Sequence, residues 1–120
     1  MTEGDILNFV RIYFSHRGIK LFRNEPHKKL IRKVWTVIKT LGFGVGSPDL
    51  MGWRISDGKT CGVEIKTIND KLSKYQIKYL DLMVKDKCLA FVAKENESSN
   101  IILENWENKK KEIIYVGNKN

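Results

Sequence analysis

From Thr2 to Gly18, apolar side chains recur at the three- and four-residue intervals of one helix face: Ile6, Phe9, Val10, Tyr13 and Phe14. Thr2 is placed to cap this predicted helix and Gly18 to end it. Ile19 to Asn24 follows as a short strand. The stretch 25–42 supports two readings. Leu30, Ile31, Val34, Trp35, Ile38 and Leu41 suit a helix with Pro26 in its first turn and Gly42 after its end, while the β-branched and aromatic run from Val34 to Ile38 suits a strand. Gly42, Gly44 and Gly46 then space a loop, and Pro48 keeps Ser47 extended. Asp49 to Ser56 and Cys61 to Thr67 read as strands joined by a tight turn at Asp57-Gly58. Ser73 caps a helix running to about Asp86, with Ile77, Leu80, Met83 and Val84 as its apolar stripe. Cys88 to Ala93 is a buried strand, 98–109 a helix with Ile102 and Trp106 on one side, and Glu112 to Val116 a last short strand before a frayed tail. The order is that of an α/β or α+β domain with a mixed sheet and a C-terminal helix/strand addition over about 98–116.

The chain has 120 residues, the size of a single domain spanning 1–120, and its 42% apolar and 30% charged residues are ordinary for a folded protein. No apolar run approaches the ~18 residues of a membrane helix. The acidic start Met1-Thr2-Glu3-Gly4-Asp5 is unlike an export signal, so a soluble, cytoplasmic protein with no membrane partner is expected. Cys61 and Cys88 lack metal-ligand spacing and read as reduced thiols, in keeping with a reducing compartment. Charge adds a partner. Twenty-two Lys and Arg against fourteen Asp and Glu leave +8, which favours a polyanion, and nucleic acid is the commonest one in a cell. A solvated lysine face is the alternative, because the excess is dispersed over Lys28 to Lys39, Lys71 to Lys78 and Lys109 to Lys111.

The chemistry concentrates in two segments, Gly46-Ser47-Pro48-Asp49-Leu50-Met51-Gly52 and Gly62-Val63-Glu64-Ile65-Lys66-Thr67. Strand alternation puts Glu64 and Lys66 on one face, opposite to Val63, Ile65 and Thr67. With Asp57 and Gly58 as the turn residues, Asp49 faces Lys66 and lies diagonal to Glu64, so the three charges share a surface. Two carboxylates so held can grip a hard cation such as Mg²⁺, and a neighbouring lysine can orient water and offset charge on a phosphate. The alternative is a cross-strand ion pair worth about 0–1 kcal/mol. Gln76 lies on the apolar stripe of its helix and needs a polar partner at the sheet, unless it stands at the solvent end of the stripe. Glu3 lies one turn before Ile6 and either reaches inward as a further ligand or simply favours the helix amino terminus.

Taken together, Gly46 to Gly52, Val63 to Thr67, and Leu72-Ser73-Lys74-Tyr75-Gln76 resemble the motif series of virus-type replication-repair nuclease (VRR-NUC) domains, members of the PD-(D/E)XK nuclease superfamily, over about residues 2–95. The resemblance implies a restriction-endonuclease-like α-β-β-β-α-β core. It implies that Asp49, Glu64 and the carbonyl of Ile65 ligate Mg²⁺ or Mn²⁺, that Lys66 positions or activates the water, and that Gln76 sits beside them. Glu3 matches the family's first-helix acid, and Ser47, Lys71, Ser73 and Lys74 are candidates for contacting DNA. Stand-alone members, many of them phage-encoded, resemble homodimeric Holliday-junction resolvases, whereas members fused to larger proteins act on flaps. A strand pair is expected before Pro48 in this family, against the partly helical pattern of 25–41. The expected function is therefore a metal-dependent endonuclease acting on branched DNA as a homodimer. The alternatives are a non-catalytic DNA-binding module or a flap- or sequence-specific nuclease on the same core. Trp35, Trp53 and Trp106 are expected in the core, with a dimer interface as their alternative role.

Overall fold

The structure is a computed structural model that describes residues 1–24, 44 and 46–117. Helix α1 spans Glu3–Ser15 and is followed by strands β1 (Ile19–Arg23), β2 (Leu50–Arg54) and β3 (Thr60–Lys66). Helix α2 (Lys74–Lys85) then leads to β4 (Leu89–Glu95), β5 (Ile101–Asn105) and β6 (Lys111–Ile114). Among the described residues these strands form one mixed sheet in sequential order, antiparallel throughout except for the parallel β3–β4 pair that α2 connects. The mixed sheet with helices on both faces matches the α+β expectation; the helix-or-strand question over 25–42 lies outside the described residues.

Both helices begin with a capping box. Thr2 Oγ1 accepts from Asp5 N–H while Asp5 accepts from Thr2 N–H, and Ser73 and Gln76 repeat the exchange. Helix α1 covers one face of the sheet with Ile6, Leu7, Val10 and Phe14, packed on Leu21, Leu50, Val63, Ile65, Ile101 and Leu103. Each such side chain contributes about 1.5–3 kcal/mol on burial. Helix α2 covers the other face with Leu80 and Met83 against Met51, Ala90 and Val92. Ile77, expected on the buried stripe, is 38% exposed.

Three further expectations are corrected. Residues 98–109 are not helical: Asn96 accepts from the N–H groups of Ser98 and Asn100, turns the chain after β4, and lets Ile101–Asn105 pair antiparallel with it. The four-residue spacing of Ile102 and Trp106 reflects no helix face. The β2–β3 hairpin closes through a longer loop, with Arg54 N–H bonded to Lys59 carbonyl, Gly58 N–H bonded to Arg54 carbonyl, and the Arg54 guanidinium paired with Asp57. Leu50 therefore opposes Val63, two residues away from the expected register. Trp53 is 43% exposed and packs beside Phe22 on the surface, not in the core. Trp106 is half-buried, its indole N–H donating to Asp81 at 2.7 Å, and Trp35 lies outside the described residues. Cys61 and Cys88 are unbridged, and burial pushes the Cys61 thiol up to about 12, which leaves it unreactive.

Candidate active site

The register shift is even, and this preserves the site. Because side chains alternate, a slip of two residues returns every side chain to the same face, whereas a slip of one would have reversed it. One step beyond the Leu50–Val63 pair, Asp49 falls opposite Glu64 and not opposite Lys66. Asp49, Glu64 and Lys66 then share the face covered by α2, to which Met51 and Gly62 also belong.

Asp49 is locked by its neighbours. Its Oδ2 accepts from the Ile65 N–H at 2.8 Å, spanning the β2–β3 seam just ahead of the first ladder pair. Its carbonyl accepts from Asn24 N–H at 2.8 Å. The Asn24 amide Nδ2 donates to Ser47 Oγ at 2.7 Å and to the Pro48 carbonyl at 2.9 Å. Asn24, at the end of β1, thus clamps the three residues Ser47-Pro48-Asp49, a role that nothing in the local sequence pattern announces. On the other side of the loop, Gly46 has φ +83° and packs so tightly on α2 that a Cβ there would stand 2.5 Å from the Tyr75 carbonyl oxygen. The glycine spacing ahead of Pro48 is therefore a close approach between the Asp49 loop and the first turn of α2.

Glu64 is the anomaly. It is 1% exposed in the middle of the sheet, yet its only hydrogen-bond donor among the described residues is Gln76, whose Nε2 reaches Oε1 at 3.2 Å. Its Oε2 is buried with no hydrogen-bond partner. Burial first, then the neighbouring Asp49 carboxyl, push the Glu64 pKa up to about 10, with Lys66 pulling down and Glu3 adding a small upward push. A buried carboxylate left half-satisfied next to a second one costs several kcal/mol, unless a cation joins them. Half-buried Gln76 has a polar partner at the sheet, and its Oε1 still accepts from Ser73 N–H to complete the helix cap.

The remaining expected residues fall around this centre. Lys66 is half-buried, one strand position beyond Ile65. Glu3 is exposed in the first turn of α1, in the opposite layer; its charge reaches Glu64, but it makes no hydrogen bond there. Ser47 and Ser73 both have hydroxyls engaged within the fold, and Lys71 and Lys74 are exposed around the start of α2. Among the described residues no three His, Cys, Asp or Glu side chains converge tightly enough to form a protein-only metal cage. The donors that do meet are two carboxylates, beside the backbone of Ile65. That set suits a hard, oxygen-seeking ion that keeps several waters, and not a soft or fully caged one.

A family model for the VRR-NUC domain matches residues 13–97, more than half the chain. The chain belongs to the VRR-NUC domain family. The matched stretch contains Asp49, Glu64, Lys66 and Gln76, so the motif series that suggested this PD-(D/E)XK nuclease family from sequence is carried by the residues that meet in space. Glu3 lies outside it. Among solved structures, the chain is similar to that of Hjc from Archaeoglobus fulgidus, described as a Holliday junction resolvase from an archaeal hyperthermophile. The TM-score is 0.54 at 12% identity, with 94% of this chain and 88% of that chain covered, which shows a shared fold. A comparison with curated proteins gave no match.

Proposed function

We propose that this VRR-NUC protein is a divalent-metal-dependent endonuclease that hydrolyses phosphodiester bonds in branched DNA, with four-way junctions as its substrate. The observation that carries the reading is the buried, unpartnered Oε2 of Glu64 beside Asp49 on the face that also holds Lys66. Asp49, Glu64 and the Ile65 carbonyl would hold Mg²⁺ or Mn²⁺. When bound, the ion supplies Lewis acidity to a phosphate oxygen and lowers the pKa of a coordinated water. Lys66 orients the attacking water and offsets negative charge as the phosphorus becomes five-coordinate. Gln76 fixes the Glu64 carboxylate so that one oxygen faces the metal position. Asn24 and Gly46 fix the loop that presents Asp49.

The choice of branched DNA is supported by the family, by the fold shared with a protein described as a Holliday junction resolvase, and by the net charge of +8. Junction resolution requires two cuts on opposed strands, so the active form is a symmetric homodimer with one site per protomer. The test is cleavage of a labelled four-way junction with Mg²⁺. Asp49→Ala and Lys66→Ala should each abolish cutting while leaving junction binding largely intact, and equal cutting by both variants and the parent would show the assignment to be wrong.

A further inference from the structure

A groove of about 590 Å³ opens beside Lys66, on the side away from Asp49. Ile68, Leu72 and Ile77 line it together with Val92 and Ile102, and Lys66 and Lys94 are two of its four lysines. Lys66 and Lys94 are direct partners in the parallel β3–β4 ladder. Like charges directly opposed in a sheet are destabilising, and among the described residues no carboxylate lies within ion-pairing distance of either. Of the acids along the groove, Asp70 is bonded to Thr67 and attracted by both lysines, Glu95 is paired with the Met1 amino group, Glu104 stands opposite Lys111 in the β5–β6 ladder, and Glu97 stands at the rim. Ile77 and Ile68, on a helix and a loop, are 38% and 40% exposed.

We infer that this groove is a nucleotide subsite: it takes one nucleotide of the cut strand, turned out of the stack at the branch point next to the scissile phosphate. Lys94 contacts the adjoining phosphate, and Ile68, Leu72 and Ile77 receive the sugar and base. The inference rests on the nuclease reading of the neighbouring site and gives that site a substrate preference. The groove has the volume of a small-molecule site, and aliphatic side chains line it beside lysines and carboxylates in equal number. A base stacked and paired within a continuous duplex cannot enter it without leaving the stack, at a cost of a few kcal/mol. A nucleotide at a branch point, still paired but stacked on one side only, enters at a lower cost. Lys94 then serves position and affinity, since phosphate contacts place a strand without reading its sequence.

The experiment measures equilibrium binding by fluorescence anisotropy in the presence of a chelator, where no cutting occurs. The probes are a four-way junction and a continuous duplex of equal length, with the parent, Lys94→Ala, Ile77→Asp and, as a remote control, Lys85→Ala. Lys94→Ala and Ile77→Asp should each weaken junction binding by about tenfold and change duplex binding by less than about twofold, and Lys94→Ala should reduce the salt slope of junction binding by about one. Circular dichroism confirms that each variant is folded; if Ile77→Asp is not, Lys94→Ala decides alone. Unchanged junction binding, or equal losses on junction and duplex, overturns the subsite. Cleavage is scored separately. A parent that binds junctions through Lys94 but never cuts them with Mg²⁺ overturns the nuclease reading and leaves the subsite standing.

Discussion

Gln76 Nε2 donates to Glu64 Oε1 at 3.2 Å, and through this bond the first turn of α2 holds a carboxylate in the middle of the sheet. The same amide closes the helix cap through its oxygen, which accepts from Ser73 N–H. Orientation of Glu64 and the start of α2 are therefore one mechanical unit. Gln76→Ala removes both bonds. A hydrogen bond to a charged group is worth about 1.5–3 kcal/mol, so the maximal cutting rate should fall by about 10- to 100-fold with a smaller effect on junction affinity. Steady-state kinetics on the junction check this. Gln76→Glu should be at least as damaging, because it brings another carboxylate against Glu64.

The Glu64 carboxyl gives a signed pH dependence. Its pKa is pushed to about 10 in the folded protein from an ordinary 4.5. Between those values the folded protein holds a proton that the unfolded chain has released, so stability is highest below the ordinary carboxylate pKa and declines as pH rises toward the folded value. In chelator, this group should make the protein more heat-stable at about pH 5 than at about pH 8, and Glu64→Gln should flatten the difference. An ion at the site replaces the proton, so added Mg²⁺ should raise the melting temperature more at the higher pH. Differential scanning fluorimetry across pH, with and without Mg²⁺, measures both.

Asn24 offers a test of positioning without touching a reacting group. Asn24→Ala removes the donor to Ser47 Oγ and to the Pro48 carbonyl while keeping the backbone bond to Asp49. The expected result is a loss of about tenfold in cutting rate, with KM changed little and a melting temperature lower by a few degrees. Asn24→Asp should not rescue it, because a carboxylate cannot donate to the Pro48 carbonyl.

Gly46 tests the contact between the Asp49 loop and α2. Its positive φ is unfavourable for any side chain, and a Cβ would meet the Tyr75 backbone at 2.5 Å. Gly46→Ala should destabilise by about 1–3 kcal/mol or displace the loop, and cutting should fall in either case. Thermal unfolding and cleavage, measured together, separate the two outcomes.

The residues that mark the site were legible because their signals are local. Thr2 and Ser73 are helix caps in one-dimensional reading and in space, and Pro48-Asp49 and Glu64-Ile65-Lys66 carry the charged residues that strand alternation places on one face. The β2–β3 register is not legible because Asp57-Gly58 looks like a two-residue turn, whereas Asp57 instead bridges Arg54 and the Lys59 N–H inside a longer loop. The shared face survived because the error was even. Residues 98–109 mislead because a two-position helical spacing carries less information than the antiparallel pairing available to Ile101-Ile102-Leu103 beside β4. Asn24 was illegible in principle: its partners are over twenty residues away, and only the β1–β2 pairing brings them together.

The central claim is that Asp49 and Glu64 cut DNA by sharing a divalent ion. The most direct measurement is single-turnover cleavage of a four-way junction by the parent and by Glu64→Gln, each with Mg²⁺ and with chelator. Glu64→Gln nearly preserves shape and leaves an amide oxygen to accept from Gln76, but it removes the charge that an ion needs. The account predicts cutting by the parent with Mg²⁺ alone and none by Glu64→Gln in either condition. Cutting by the parent in chelator, or by Glu64→Gln at the parental rate, would contradict it.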